Sequence, residues 1–402
     1  MRALYIIATM DTKGREARFM ADTAAGLGIA TRLVDVGTRT EPGPDIYLSN
    51  SRIASYAGAR LLELGQSAKR MDALPVMAEG LKKALLDECD RGELGGVIAI
   101  GGSGGMSIAS PALCALPFGI PKVMVTTIAS GNMRPYIKGR DIAVFNSVAD
   151  IIGLNVITET MLAQSVRAVC GMMGGTSAKQ GRRNAVAITS FGSTDPCVQE
   201  CIRLLDAAGY DSVAFHARGV SGGTVMEELV REGYFAAVLD VTTTEIADYV
   251  TGGDYACDET RLSAASDMGL PFVVAPGSLD MVNFNRPLPE HYKDRLAVRH
   301  ALNTVLMRTD MDEMLQIADF MAKKLNRPGA QYRLLLPRGG VSAYDAPGKA
   351  FFAPEITDAF ITAMEQKTDK SKIIVLDCHL NDAAFAARAV NELLKLIKGE
   401  IE

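Results

Sequence analysis

Three stretches of the chain join an apolar run to a loop of small and polar residues. Val97-Ile98-Ala99-Ile100 leads into Gly101-Gly102-Ser103-Gly104-Gly105. Lys122-Val123-Met124-Val125 leads into Thr126-Thr127-Ile128-Ala129-Ser130-Gly131-Asn132. Ala3 to Ala8 leads into Thr9-Met10-Asp11-Thr12-Lys13-Gly14. A buried strand, a turn with little side chain and a fresh helix N-terminus make an anion site. The first-turn N–H groups lack helical partners, and glycine lets a phosphate approach the backbone. Three such junctions point to one nucleotide or phosphate site at the carboxyl edge of a parallel sheet. Its expected residues are Asp11, Thr12, Lys13, Gly101, Gly102, Ser103, Gly104, Gly105, Thr127, Ala129, Ser130, Gly131 and Asn132. Lys13 and Lys122 are the nearby cations that could neutralise a phosphate. Asp11 could hold Mg²⁺ through water, and Asp35 could bind a ribose hydroxyl or simply face solvent. The competing reading is that these turns serve packing alone. No loop matches GxxxxGK[ST], and GxGxxG is absent at the first strand, which argues against a P-loop and an ordinary NAD site.

The second half gathers a different set at the ends of its apolar runs: Ser190, Ser193, His216, Asp240, Thr242 to Glu245, Ser278, Asp280, Arg338, Asp377, His379 and Asp382. Two of the four histidines fall there. A histidine near a carboxylate suits general acid/base work, so His216, Glu245, His379 and Asp382 are the catalytic candidates. His216, His379 and one carboxylate could instead hold a metal. Asp195, Thr244 and Asp382 also stand where helix N-caps are wanted. His300 reads as the start of a surface helix.

These sites need elements to hold them. The chain has 402 residues, 48% of them apolar, which exceeds one ordinary core and implies two domains. Strand and helix patterns alternate, the signature of parallel sheets covered on both faces. The fold class expected is therefore α/β, with two Rossmann-like doubly wound domains, 1–178 and 179–402. The small, polar, basic stretch 174–183 is the expected linker. Strand, helix, glycine and strand from Ala3 through Gly28 to Val36 recur from Ala185 through Gly209 to His216. Further on, the pattern predicts helices over 258–268 and 299–307, and a long aperiodic connection over 276–291, of a length that tends to be functional.

Composition limits the function classes. The net charge is −5 without a basic tract, so nucleic acid is not expected as primary partner. Seven scattered cysteines, with no CxxC pair, indicate neither a disulfide framework nor a zinc ribbon. No run approaches the roughly 20 apolar residues of a membrane span. The N-terminal apolar run is too short for a signal peptide, so a cytoplasmic location is expected.

Taken together, the motifs resemble one family, the uncharacterised Tm-one-like ATP-binding proteins, which include a plant tobamovirus-resistance protein. The resemblance rests on Thr9-Met10-Asp11-Thr12-Lys13, Gly101 to Gly105, Ala129 to Asn132, Val238 to Glu245, Pro276 to Phe284, Gly340 to Asp345 and His379 to Asp382. It implies two Rossmann-like domains, ATP with Mg²⁺ at the first, and a homodimer. It supplies a ligand and a fold but no reaction. The expectation is an ATP-dependent or ATP-regulated enzyme, with His216, Glu245, His379 and Asp382 lining a cleft that takes a small polar or acidic substrate. The alternatives are a nucleotide-responsive dimeric binding protein, or a metal-dependent lyase or hydrolase in the second domain.

Overall fold

The computed structural model describes residues 2–38, 43–66, 70–174, 184–219 and 222–401. The chain separates into two compact units, Met1–Ala178 and Lys179–Glu402. Of the expected linker, residues 175–183 lie outside the described residues.

Unit 1 runs β1 (Ala3–Ala8), α1 (Met10–Ala25), β2 (Thr31–Asp35), β3 (Ile46–Leu48), α2 (Asn50–Tyr56), α3 (Leu61–Gln66), α4 (Arg70–Asp90), β4 (Leu94–Gly101), α5 (Ser103–Ala115), β5 (Lys122–Thr126), α6 (Arg134–Ile137), β6 (Ile142–Asn146) and α7 (Val156–Met173). All its strands are parallel, in the order β3-β2-β1-β4-β5-β6. The strand period of two explains the double covering. Tyr5, Ile7, Val97 and Ala99 pack with α4 and α5. Leu4, Ile6, Ile98 and Ile100 pack with α1 and α7 on the opposite face. Two helices begin earlier than their apolar periodicity suggests. α1 starts at Met10 and α5 at Ser103, so the polar and glycine residues read as loops form the first helical turns.

Unit 2 runs β7 (Ala185–Ser190), α8 (Asp195–Ala207), β8 (Asp211–His216), α9 (Gly223–Arg231), β9 (Ala237–Thr242), α10 (Thr244–Thr251), α11 (Ala264–Asp267), β10 (Phe272–Gly277), β11 (Met281–Phe284), β12 (Ala297–Ala301), β13 (Thr304–Arg308), α12 (Met311–Leu325), β14 (Tyr332–Pro337), α13 (Pro354–Lys367), β15 (Ile373–Leu376) and α14 (Ala383–Ile397). Its main sheet is parallel, in the order β15-β14-β10-β9-β7-β8. Val186, Ile188, Leu239 and Leu335 pack with α8 and α14. Ala187, Val238, Val274 and Leu334 pack with α9 to α13. Both units are thus α/β with mostly parallel six-stranded sheets, as the alternation implies. The repeat read in the sequence holds locally, with Gly28 (φ 75°) and Gly209 (φ 83°) ending matching helix turns. It fails at the third strand: β3 continues outward from β2, whereas β9 crosses to the far side of β7.

Three element predictions are corrected. Residues 299–307 are not a helix but part of the antiparallel hairpin β12–β13, which β11 joins in a sheet of order β11-β13-β12. The β-branched Val298, Thr304 and Val305 favour strand there, and Leu302-Asn303 makes the two-residue turn. His300 therefore lies on a strand. The connection 276–291 contains β11. Of 258–268, only α11 is helical. Glu227 captures the N–H groups of Leu262, Ser263 and Ala264, which ties the preceding segment into a turn. Among the described residues, no helix is long and apolar enough to cross a membrane.

Candidate functional site

The order of unit 1 reverses between β1 and β4. In open α/β sheets, ligands bind in the crevice outside the carboxyl ends at such a point. Here the crevice is lined by Thr9, Asp11, Thr12, Val36, Gly37, Thr38, Leu74, Gly104 and Ile108. Two helices open onto it, α1 with Thr9 and α5 with Gly102 at the N-cap; neither cap residue accepts a helix N–H with its side chain, and Thr9 Oγ1 pairs instead with Thr12 Oγ1 at 2.7 Å. Met106 N donates to Gly102 O at 3.0 Å as the first rung of α5. The N–H groups of Ser103, Gly104 and Gly105 precede that ladder, at the positive end of the helix dipole. A Cβ on Gly102 would stand 3.4 Å from Thr127 Oγ1, so the turn after β5 adjoins this terminus. Ala129, Ser130, Gly131 and Asn132 are not in the lining. Their turn closes on itself through Gly131 N to Ile128 O (3.0 Å) and Arg134 N to Asn132 Oδ1 (3.1 Å).

The expected cations are elsewhere. Lys122 is buried at the amino end of β5, opposite the loops. It pairs with Asp141 at 2.8 Å and donates to Pro117 O and Ile120 O. Lys13 Nζ donates to Ile151 O, in the segment after β6. Asp35, the last residue of β2, is only 1% exposed. Its Oδ1 accepts from Met10 N (3.0 Å) and Gly37 N (2.8 Å), so it staples two loops together. Burial pushes its pKa up against the pull of those two N–H groups, and the Asp11 charge adds to the rise. Among the described lining residues, Asp11 is the charged one, and the attraction for anions comes from helix N-termini.

Unit 2 reverses its order between β7 and β9, and charge fills that region. Arg261 is fully buried. It grips Asp240 of β9 with two bonds, Nη1 to Oδ2 at 2.5 Å and Nη2 to Oδ1 at 2.8 Å. Its Nε donates to Glu245 Oε2 (2.8 Å), and Nη1 lies 3.4 Å from Glu227 Oε1. Thr189 Oγ1, on β7, donates to Asp240 and accepts from Thr242 N. Glu245, a catalytic candidate, is thus a structural ion. Its other oxygen accepts from Gly223 N at 2.9 Å. Burial pushes Glu245 and Glu227 up, and the Arg261 charge pulls both back.

The other candidates separate as well. His216 ends the exposed strand β8 and stacks on Phe191, with ring centroids 5.2 Å apart. Loss of water around the ring and then the Arg218 charge lower its pKa, against the pull of Asp195. His379 follows β15, at the opposite edge of the sheet. Asn381 N donates to its Nδ1 (3.0 Å), so Nε2 carries the proton shared with Ser342 O (3.0 Å), and both nitrogens are occupied. Asp382 stands at the N-cap of α14, but its Oδ2 accepts from His379 N (2.8 Å) and makes no helix-capping bond. His216, Glu245, His379 and Asp382 therefore do not assemble into one constellation. Among the described residues, no group of three or more His, Cys, Asp or Glu side chains could hold a metal ion.

The loops after β7, β10, β14 and β15 do meet. Ser193 Oγ and Ser278 Oγ are 2.7 Å apart. Ser342 Oγ donates to Asp280 Oδ2 (2.7 Å), and Val341 N donates to Asp345 Oδ2 (3.0 Å). Ser193 O accepts from both Ala343 N and Asn381 Nδ2. Ser278 adopts the left-handed φ of 59°, unusual for a residue with a Cβ. Burial and then the Asp345 charge push Asp280 up to about 7. Sequence reasoning missed Arg261 and Asp345 as site builders. Arg261 carries no local signal, because its partners lie 16 to 34 residues away in the chain. Asp345 was within reach, since it closes the Gly340 to Asp345 motif.

Comparison with known proteins fits this two-unit plan. Residues 2–178 match the N-terminal domain, and residues 183–397 the C-terminal domain, of the uncharacterised protein family UPF0261. A UPF0261 protein of Clostridium tetani is 38% identical, over 99% of this chain and 99% of that protein. One from Rhizobium meliloti is 38% identical over 97% and 98%. The ToMV resistance protein Tm-1(GCR237) of Solanum lycopersicum is 36% identical over 98% of this chain but 55% of its own length. With both units matched over nearly their whole length, the chain belongs to the UPF0261 family.

Proposed function

We propose that unit 1 binds ATP with Mg²⁺ at the β1/β4 crevice, and that the chain is an ATP-dependent or ATP-regulated enzyme acting on a small polar or acidic substrate. One observation carries this reading: α5 begins, without a side-chain cap, at the reversal point of the strand order, beside α1, whose first N–H is held by Asp35. A triphosphate would accept from the N–H groups of Ser103 to Gly105, with Thr9, Thr12 and Thr127 as flanking hydroxyls. Asp11 would reach Mg²⁺ through water, which suits an ion that keeps most of its hydration shell. In this reading Asp35 supports the two loops that frame the crevice. A homodimeric, cytoplasmic protein is the form this reading carries with it.

The test is isothermal titration of ATP, ADP and NADH with Mg²⁺ on the wild type and on Gly104→Arg. The reading expects selective ATP binding that the variant loses. No binding, or binding that Gly104→Arg leaves untouched, would mean that the glycine turn serves packing. A second reading, a nucleotide-responsive binding protein without turnover, draws support from the occupied nitrogens of His379 and the buried ion pair of Glu245. It expects a partner affinity that changes with ATP and no product.

A further inference from the structure

Buried polar atoms without partners are rare in folded proteins, and each asks for a donor, a water or an ion. Three belong to the loop cluster of unit 2: Asp280 Oδ1, Asp345 Oδ1 and Asn381 Oδ1. Asp280 and Asp345 are each 1% exposed, and their other oxygens are held by consecutive residues, Ser342 and Val341. Both carboxylates therefore reach the same short segment. Asn381 is fixed to that segment too, since its Nδ2 and Ala343 N share Ser193 O as acceptor. The nearby cation, Arg308, donates to Phe351 O, to Thr309 O and Oγ1, and more distantly to Asp280 O; it bonds neither carboxylate, though its charge pulls on both and the Ala353 N–H on Asp345.

We propose that Asp280, Asp345 and Asn381 form a binding site for one hard divalent cation of the Mg²⁺ or Mn²⁺ kind. Two carboxylate oxygens and an amide oxygen are the donor type such ions choose, and a site with one or two carboxylates leaves positions for water or a substrate oxygen. A cation satisfies the three acceptors together and relieves the repulsion between the carboxylates. Asn381 is partly buried, whereas Asp280 and Asp345 are almost fully so. The ligands differ from the His216 and His379 set that the sequence suggests, and the proposal does not rest on nucleotide binding in unit 1.

The experiment titrates the full chain with Mn²⁺ in the absence of nucleotide and follows free Mn²⁺ by electron paramagnetic resonance. The expected result is one Mn²⁺ per chain, weakened at least tenfold by Asp280→Asn and by Asp345→Asn and several-fold by Asn381→Ala. Far-UV circular dichroism and a cooperative melt identify the variants that remain folded. The two Asp→Asn changes are near-isosteric, so either one suffices if the other misfolds. Wild-type protein without bound Mn²⁺, or equal binding in the folded Asp variants, overturns the site. If the wild type binds none and Asp280→Asn raises the melting temperature at pH 8, the two carboxyl groups share a proton instead of a metal.

Discussion

The two units place a crevice at the same topological position and treat it in opposite ways. In unit 1, between β1 and β4, the walls are glycine backbone, threonines, one carboxylate and the apolar Val36, Leu74 and Ile108, and two helices open onto it. In unit 2, between β7 and β9, Arg261 and the carboxylates of Asp240, Glu245 and Glu227 fill the corresponding region. Topology determines where a ligand could sit, and side chains determine whether the position is available. In unit 2 the polar groups that remain for chemistry are displaced along the sheet edge, towards the loops after β10, β14 and β15.

The largest effect should come from emptying the filled crevice. Arg261→Met leaves Asp240, Glu245 and Glu227 buried without a countercharge, and breaking a buried pair this way costs about 3–5 kcal/mol. Urea denaturation, with hydrogen exchange to locate the loss in unit 2, reads it. An unchanged midpoint would break the contrast between the units. Asp248 sharpens the same point. It is fully buried, and burial pushes its pKa to about 7 against the pull of Asn283 and Tyr255 N–H. A raised carboxyl pKa makes the folded state hold a proton that the unfolded state releases near pH 4. Its contribution is therefore present below about pH 4, declines as pH rises towards 7 and stays lost above. Asp248→Asn should match the wild type near pH 4 and exceed it at pH 8 by about 2–4 kcal/mol, as melts at the two pH values would show. A constant difference between the two pH values would contradict this.

Unit 1 should respond more weakly. Asp35→Ala frees Met10 N and Gly37 N and should cost about 1–2 kcal/mol, while ATP affinity stays within about twofold. A loss of affinity without loss of stability would return Asp35 to a ribose-reading role. The smallest effects concern the two separated histidines. His379→Ala removes two hydrogen bonds to backbone at a half-buried turn and should cost about 1 kcal/mol, a melting shift of about 2–4 °C. His216→Ala, on an exposed edge strand, should fall within about 0.5 kcal/mol. Loss of an assayed activity at wild-type stability in either variant would show that the histidine touches substrate.

Much of the architecture was legible because apolar periodicity is a local property. β1, β4, β7 and β10 each read as short apolar runs, and the glycines after α1 and α8 punctuate them. The hairpin β12–β13 was not legible, since the apolar spacing of Ala301, Val305 and Leu306 mimics a helix face and masks the strand preference of Val298, Thr304 and Val305. Only pairing with β11 decides it. The unit 1 crevice could be found from its three loops, yet the uses of Lys13, Lys122 and Asp35 could not, because each depends on a partner distant in the chain. The unit 2 set reads as one site in the sequence because its residues all follow strands. The strand order separates His216 from His379, and burial removes Glu245, and neither fact is encoded in spacing along the chain.

Arg261 follows its partners Glu245, Asp240 and Glu227 by 16, 21 and 34 residues. During synthesis three carboxylates emerge first and the guanidinium that neutralises them emerges last. Until it arrives, closing β7 against β9 would bury Asp240 without its countercharge, which is costly. The dry centre of unit 2 thus depends on the segment around Arg261, whereas the described lining of the β1/β4 crevice of unit 1 holds no buried arginine of this kind.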